Sequence, residues 1–320
     1  MRRFKALLRL ARWLGPWANE ADAPSIHRIE HSVIRETRSI RYRIYQPKDR
    51  GFGCLFLIPG LHFAGADDPR LDRFAAILAH AGYWVCTPFL PDFLDLRLRP
   101  SLVEDAERVF DTFRDDPHRP KGRIGLLSIS FGSFIAIALA ARKERKAHIG
   151  CLMTFGGFSR WRDALRFSLE GGKARPHDPL NRPVVFMNLL PRLQTSDPIK
   201  LEIAWRKYAE TTWGKKEYKN RKLWMPLAES LATEVAPEDT HLFLQGCGAR
   251  PGGNAIARTG LEAKGELEWL TPIAHLKQIG CDFFAVHGSE DDVIPVEHAH
   301  DLVRSCPSSV RGIALITGMY

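Results

Sequence analysis

The 320-residue sequence contains no apolar run of the roughly 18 residues needed to cross a bilayer, so no segment is expected to span a membrane. It has six cysteines but no Cys-x-x-Cys pair. Cys54, Cys86 and Cys151 lie inside apolar, strand-like runs. The pattern excludes a disulfide framework and predicts reduced, mostly buried thiols in a cytoplasmic protein. No group of His, Asp and Glu has metal-ligand spacing, so no metal is expected. No Gly-x-Gly-x-x-Gly follows a strand, which removes a nucleotide; the expected cofactor is none. Net charge is +9 and the pI about 9.4, yet no Lys/Arg block reaches the length of a nucleic-acid tail. Nucleic acid is therefore not an expected partner. Internal repeats and low-complexity tracts are also missing.

What remains is an ordinary globular composition, 45% hydrophobic and 26% charged, on a chain long enough for a sizeable core. In Met1 to Pro16, Phe4, Leu7, Leu8, Ala11 and Leu14 recur at helical spacing among Arg2, Arg3, Lys5, Arg9 and Arg12. Two readings stay open: a terminal helix packed on the protein's own body or a partner, or a peripheral contact with an anionic bilayer. From His27 to Pro47 the period becomes two, and the turn at Glu36 to Ser39 predicts a hairpin at a sheet edge with its arginines facing water.

Cys54 to Ile58 is apolar on both faces, as a buried parallel strand requires, and ends in Pro59-Gly60-Leu61-His62. A helix is predicted over Pro69 to Ala81 with Gly82 as its stop, then a strand over Tyr83 to Thr87. Ser101-Leu102-Val103-Glu104 reads as a capping box opening a helix to about Arg114. Strands follow at Gly125 to Leu127 and Ile149 to Thr154. From Phe158 to Leu270 the alternation stops; the stretch carries Trp161, Trp205, Trp213, Trp224 and Trp269 and reads as a largely helical insertion. A strand resumes at Asp282 to Val286, followed by the loop His287 to Pro295, a helix to about Arg304 and a last strand over Ile313 to Ile316. The alternation predicts an α/β fold built on a doubly wound, mostly parallel sheet.

Two stretches carry chemistry. Between the apolar run Ile124 to Leu127 and the apolar run Phe134 to Ala141 lies Ser128-Ile129-Ser130-Phe131-Gly132, a small-x-Ser-x-Gly turn. A serine on so sharp a strand-to-helix turn needs small residues two before and two after it, and its hydroxyl is then held out at the strand's end. Ser128 stands where glycine is commoner. The second stretch is Gly288-Ser289-Glu290-Asp291-Asp292-Val293-Ile294-Pro295.

With both motifs in order, the chain resembles the α/β-hydrolase superfamily over roughly Cys54 to Thr154 and Asp282 to Tyr320. The second stretch matches that family's G-x-x-D-x-x-[VI]-P acid loop. The resemblance implies Ser130 as nucleophile and Asp291 as the acid that orients a histidine. Glu290 and Asp292 are the neighbouring alternatives, read as solvated turn carboxylates. It implies an oxyanion hole from the backbone N–H groups of Leu61 and Phe131. His62 is read as shaping the pocket mouth or as a satisfied loop histidine. The implied organisation is an amphipathic segment at 1–24, a hydrolase core at 25–157 and 271–320, and a cap at 158–270 whose tryptophans supply an apolar pocket.

One member of the triad is out of place. In that family the base follows the last strand, whereas here the strand runs into Ile316-Thr317-Gly318-Met319-Tyr320. The only histidines after Asp291 are His298 and His300, two apart in the helix behind the acid loop. The expectation is a sequence that ends just short of its base and a closing helix. The function expected is a serine hydrolase that cleaves a small-molecule carboxylic ester through an acyl-enzyme on Ser130. The alternatives are a non-catalytic binding protein on the same fold, or a membrane-surface lipase or thioesterase.

Overall fold

The structure is a computed structural model that describes residues 2–15, 18–19, 22–49, 51–171, 177–263, 265 and 267–318. Met1, Pro16, Met319 and Tyr320, which belong to the two terminal readings above, lie outside the described residues.

The chain opens with helix α1 (Arg2–Leu14) and the hairpin β1 (His27–Arg35) and β2 (Arg38–Gln46). It continues through β3 (Gly53–Ile58), α2 (Pro69–His80), β4 (Tyr83–Pro88), α3 (Pro91–Leu94), α4 (Ser101–Arg114), β5 (Ile124–Ile129), α5 (Gly132–Ala141) and β6 (Ile149–Phe155). Among the described residues seven α-helices follow without a strand: α6 (Trp161–Glu170), α7 (Arg182–Leu189), α8 (Pro198–Thr212), α9 (Arg221–Leu231), α10 (Thr240–Gly246), α11 (Gly253–Glu262) and α12 (Pro272–Leu276). The chain then returns to the sheet with β7 (Asp282–Gly288), α13 (Glu297–Arg304) and β8 (Gly312–Thr317).

The described residues form one eight-stranded sheet in the order β1-β2-β4-β3-β5-β6-β7-β8. The hairpin joins it antiparallel through β2 and β4, and every later pairing is parallel. β5 sits near the middle because it and α5 are apolar on all sides; every residue of α5 is buried. Registers bring Ile58 level with Ser128, Ile129 with Phe155, and Phe155 with Val286. The carboxyl ends of β3, β5, β6 and β7 thus meet at one edge, where open α/β sheets place their ligand sites.

Two local expectations are corrected. Ser101 and Glu104 do not form a capping box: Pro100 occupies the N-cap with no side-chain bond, since Pro100 shifts the helix start by one residue. The Ser101 hydroxyl instead donates to the buried Asp92 at 2.5 Å, and Glu104 accepts from Arg35 at 2.8 Å. The hairpin arginines do not all face water either. Arg43 is only 12% exposed and is tied to Glu30, Asp67 and Asp72, because the side of the hairpin carrying it faces α2.

All six cysteines are free, and burial pushes their thiols above the ordinary range, to about 12 for Cys281 and about 11 for Cys306. Among the described residues no helix is long and apolar enough to cross a membrane. α1 rests on α2 through Ala6, Leu10 and Trp13, while Arg9 donates to the carbonyl of His80 at 3.0 Å. Phe4, Leu7 and Leu8 on its other flank remain 65%, 63% and 56% exposed.

Candidate active site

The turn between β5 and α5 is strained. Ser130 has φ +50°, in the left-handed region that costs an L-residue roughly 1 kcal/mol. Its N–H donates to the carbonyl of Phe155 at 2.7 Å, and its own carbonyl accepts from Ser133 at 2.9 Å, so the sheet fixes the conformation. The small residues flanking it have visible reasons. A Cβ added to Gly132 would lie 2.2 Å from the carbonyl oxygen of Pro59, and one on Gly60 would lie 3.4 Å from Cβ of Ser130. Ser128 is fully buried, which leaves no room for a long side chain there.

Ser130 and Phe131 open into a cavity of about 410 Å³ whose lining also includes Pro59, Gly60, Leu61, His62 and Asp291. Ser130, Asp291, Leu61 and Phe131, the residues to which the resemblance assigns roles, therefore border one space, whereas Glu290 and Asp292 do not. The backbone N–H groups of Leu61 and Phe131 flank the Gly60–Ser130 contact. Among the described residues neither N–H is used in a backbone hydrogen bond.

Asp291 is buried, with Oδ1 accepting from the N–H groups of Val293 and Ile294, both at 2.9 Å. Oδ2 takes no backbone N–H and is the oxygen left to face another side chain. His287 Nε2 lies 3.2 Å from it but only 2.8 Å from the carbonyl of Ile294. A ring nitrogen beside a carbonyl oxygen must carry the hydrogen, so Nε2–H points at Ile294 and Asp291 is its secondary acceptor. Of the neighbouring carboxylates, Glu290 is exposed and Asp292 pairs with Lys219 at 2.5 Å. The acid loop is further tied to the helical stretch where Asp178 N–H donates to the carbonyl of Asp292 at 2.9 Å.

No histidine among the described residues is hydrogen-bonded to Ser130. His298 lies on the buried face of α13 and accepts at Nδ1 from the hydroxyl of Ser159 at 2.7 Å and its N–H at 3.2 Å. Burial lowers its pKa to about 4, with the nearby Arg160 acting the same way. His300 is exposed on the same helix. His62 does line the cavity, stacked on Phe63 with ring centroids 4.4 Å apart. Its Nδ1 accepts from the N–H of Ala64 at 3.1 Å, so Nε2 carries the hydrogen and faces Asp68 at 3.5 Å. Burial holds the ring below its ordinary pKa, and Asp68 only partly offsets this. For Asp68 burial pushes upward, but the Arg70 guanidinium, bonded at 2.7 and 3.0 Å, outweighs it and keeps the carboxylate low.

The opposite wall comes from the helical stretch: Leu165, Val184, Val185, Asn188 and Trp213. The expectation of a tryptophan-lined pocket is corrected, since Trp213 alone of the five reaches the cavity. Trp205 is buried between Phe186 and Phe243, and Trp269 packs on Phe134, because these rings fill gaps between helices. Sequence reasoning missed Asn188. Its amide is consumed internally, donating to the carbonyls of Leu96 and Val184 at 2.9 and 2.8 Å and accepting from Leu98 N–H at 2.7 Å. It therefore presents a spent polar surface, and the wall is mostly apolar, with Ser168, Asp178 and Asn181 as its other polar members.

No family model matches the chain, and no curated protein matches it. Solved structures do. The uncomplexed acylaminoacyl peptidase of Pyrococcus horikoshii aligns with a TM-score of 0.52 and 13% identity, over 92% of this chain and 37% of that one. An acylaminoacyl peptidase in complex with Z-Gly-Gly-Phe-chloromethyl ketone aligns at 0.53, again with 13% identity, over 92% and 38%. The chain spans little more than a third of the length of these proteins. The likeness establishes the architecture: the chain has the α/β-hydrolase fold.

Proposed function

We propose that this chain is a serine hydrolase that cleaves a carboxylic ester with an apolar acyl group, and that Ser130 is its nucleophile. The observation that carries the reading is the left-handed Ser130 at the edge of a cavity that also borders Asp291. Glu36 and Leu96 share that conformation elsewhere, but only at Ser130 does it hold a hydroxyl at the carboxyl end of a central strand beside a cavity, as an exposed nucleophile requires. The hydroxyl oxygen attacks the ester carbonyl and the C–O bond to the alcohol breaks, leaving an acyl group on Ser130. The negative oxygen that forms in between is held by the N–H groups of Leu61 and Phe131. Water then attacks the acyl-enzyme and frees the acid. Asp291 Oδ2 orients the base that takes the serine proton and returns it to the leaving alcohol. That base is the one part of the machinery that the described histidines do not supply. The stretch from 158 to 270 acts as the cap, since its α6, α7 and Trp213 close the acyl side of the cavity. The apolar lining favours hydrocarbon over charged acyl groups.

The reading is tested by hydrolysis of short-chain p-nitrophenyl esters. Ser130→Ala should lower kcat/KM by about a thousandfold or more. Equal rates in the two proteins would overturn it. The rival reading, a binding protein on the same fold, is favoured by the absence of an imidazole on Ser130 among the described residues. It leaves the strain at Ser130 without a purpose.

The exposed flank of α1 favours a place of work. Phe4, Leu7 and Leu8 face outward beside Lys5 and Arg12, the arrangement that seats a helix on an anionic bilayer. Flotation with phosphatidylserine vesicles should be lost in Phe4→Ser/Leu7→Ser/Leu8→Ser; unchanged flotation would remove the membrane from the account.

A further inference from the structure

Away from Ser130, a second cavity of about 420 Å³ is lined by Arg182, Arg221, Arg250 and the loop from Gly248 to Asn254. Many arginines in the molecule are matched to carboxylates, as in Arg28 with Asp72, Arg97 with Glu202 and Arg162 with Glu268, and those with only neutral acceptors, such as Arg73, Arg108 and Arg192, are scattered singly. Here three share one cavity. Arg182 donates to the carbonyl of Leu169 and to Asn254 Oδ1, both neutral, and its Nε is buried with no partner. Arg221 donates to Met225 Sδ at 3.3 Å and lies over the Trp224 ring, and Arg250 donates only to the carbonyl of Ala249. Among the described residues none of the three forms an ion pair.

A half-buried guanidinium with no ion-pair partner is costly, and the two exposed guanidiniums of Arg221 and Arg250 on the same cavity add like charge. Burial lowers the pKa of Arg182, the one arginine among the described residues shifted in that direction, and the more distant Glu170 offsets this only in part. The loop that completes the cavity is fitted closely around these side chains. A Cβ on Gly248 would sit 3.0 Å from Arg182 Nε, and one on Gly253 would sit 2.4 Å from the carbonyl oxygen of Gln245. Gln245 Nε2 also donates to the carbonyl of Pro251 at 2.9 Å, fixing the loop from inside. The amino end of α11 borders the same space with no side chain capping it.

We infer that this cavity binds the phosphate group of a ligand, with Arg182, Arg221 and Arg250 as its cationic walls. Guanidinium groups match phosphate oxygens by paired N–H donors, and a dianion compensates several arginines at once. The uncapped α11 terminus adds backbone N–H groups on the same side. The site is independent of the chemistry at Ser130. It is nevertheless adjacent to it: Arg182 opens α7, and Val184 and Val185 on the next positions line the Ser130 cavity.

The phosphate can come from a free phosphorylated molecule or from a lipid headgroup, and titration of the full chain separates them. One arm uses inorganic pyrophosphate, followed by calorimetry; the other uses phosphatidylcholine vesicles with and without phosphatidic acid. Both are repeated with Arg221→Ala/Arg250→Ala, two exposed side chains whose removal spares the core, and with Lys121→Ala/Lys143→Ala, which removes the same charge elsewhere. Saturable pyrophosphate binding, weakened about tenfold or more only in the arginine variant, supports the inference with a free ligand. Binding only to phosphatidic acid vesicles, lost in the same variant, supports it with a lipid headgroup. No saturable binding in either arm, or equal weakening in the arginine and lysine variants, overturns it.

Discussion

The two walls of the Ser130 cavity are made in different ways. On the sheet side the shape is set by backbone: Ser130 at φ +50°, Gly132 against the Pro59 carbonyl, and Asp291 fastened by two N–H groups of its own loop. On the helical side it is set by side chains, Leu165, Val184, Val185 and Trp213, projecting from three separate stretches. A backbone constraint admits few residue types and so leaves a mark in the sequence. A packed apolar wall admits many and leaves almost none. Under the proposed function the first wall holds the chemistry and the second chooses what reaches it.

Breaking the sheet wall should have the largest effect. Gly132→Ala places a methyl 2.2 Å from a backbone oxygen that cannot swing away, so β3 and α5 must separate. A loss of about 3 kcal/mol is expected in urea unfolding, together with loss of esterase activity. An unchanged midpoint would show that the junction is slack and that the sheet wall is not rigid.

The same wall should weaken with acid. His298 holds Ser159 just beyond β6, and it does so as a neutral ring whose pKa is about 4 against 6.5 for an ordinary histidine. As pH falls, the unfolded chain takes up this proton before the folded one does. The stabilisation is therefore complete above 6.5 and is lost between 6.5 and 4. It should amount to about 2 kcal/mol lost by about pH 5. His298→Asn, which keeps an acceptor toward Ser159, should flatten that part of the stability profile. A profile as steep as the wild type's would assign the acid sensitivity elsewhere.

Changing the helical wall should be milder and selective. Trp213→Ala should raise KM for long-chain esters by about tenfold, through lost apolar contact, and leave kcat for acetate esters nearly unchanged. Equal losses on short and long substrates would mean that this wall, too, positions the reacting atoms.

The same contrast explains what could be read in advance. The parallel sheet, its carboxyl edge, the Ser130 turn and the acid loop were legible because alternation, small residues and a fixed spacing report backbone demands. The capping box at Ser101 failed because a pattern of residue types competes with tertiary partners. The buried Asp92 and Arg35 offered Ser101 and Glu104 better ones. Arg43 looked solvent-facing by alternation, but Asp67 and Asp72 lie far along the chain and draw it inward. Tryptophans signalled an apolar region without saying which ring would face the cavity. The arginine cavity left no motif at all, since Arg182, Arg221 and Arg250 meet only through the packing of α7, α9 and the loop before α11.

The central claim is that Ser130 is a nucleophile and not merely a strained turn residue. Treatment of the folded chain with a fluorophosphonate probe, followed by peptide mass mapping, tests it most directly. The account predicts one stable adduct on Ser130, absent from Ser130→Ala. A well-folded wild-type protein that stays unlabelled at Ser130 would contradict it.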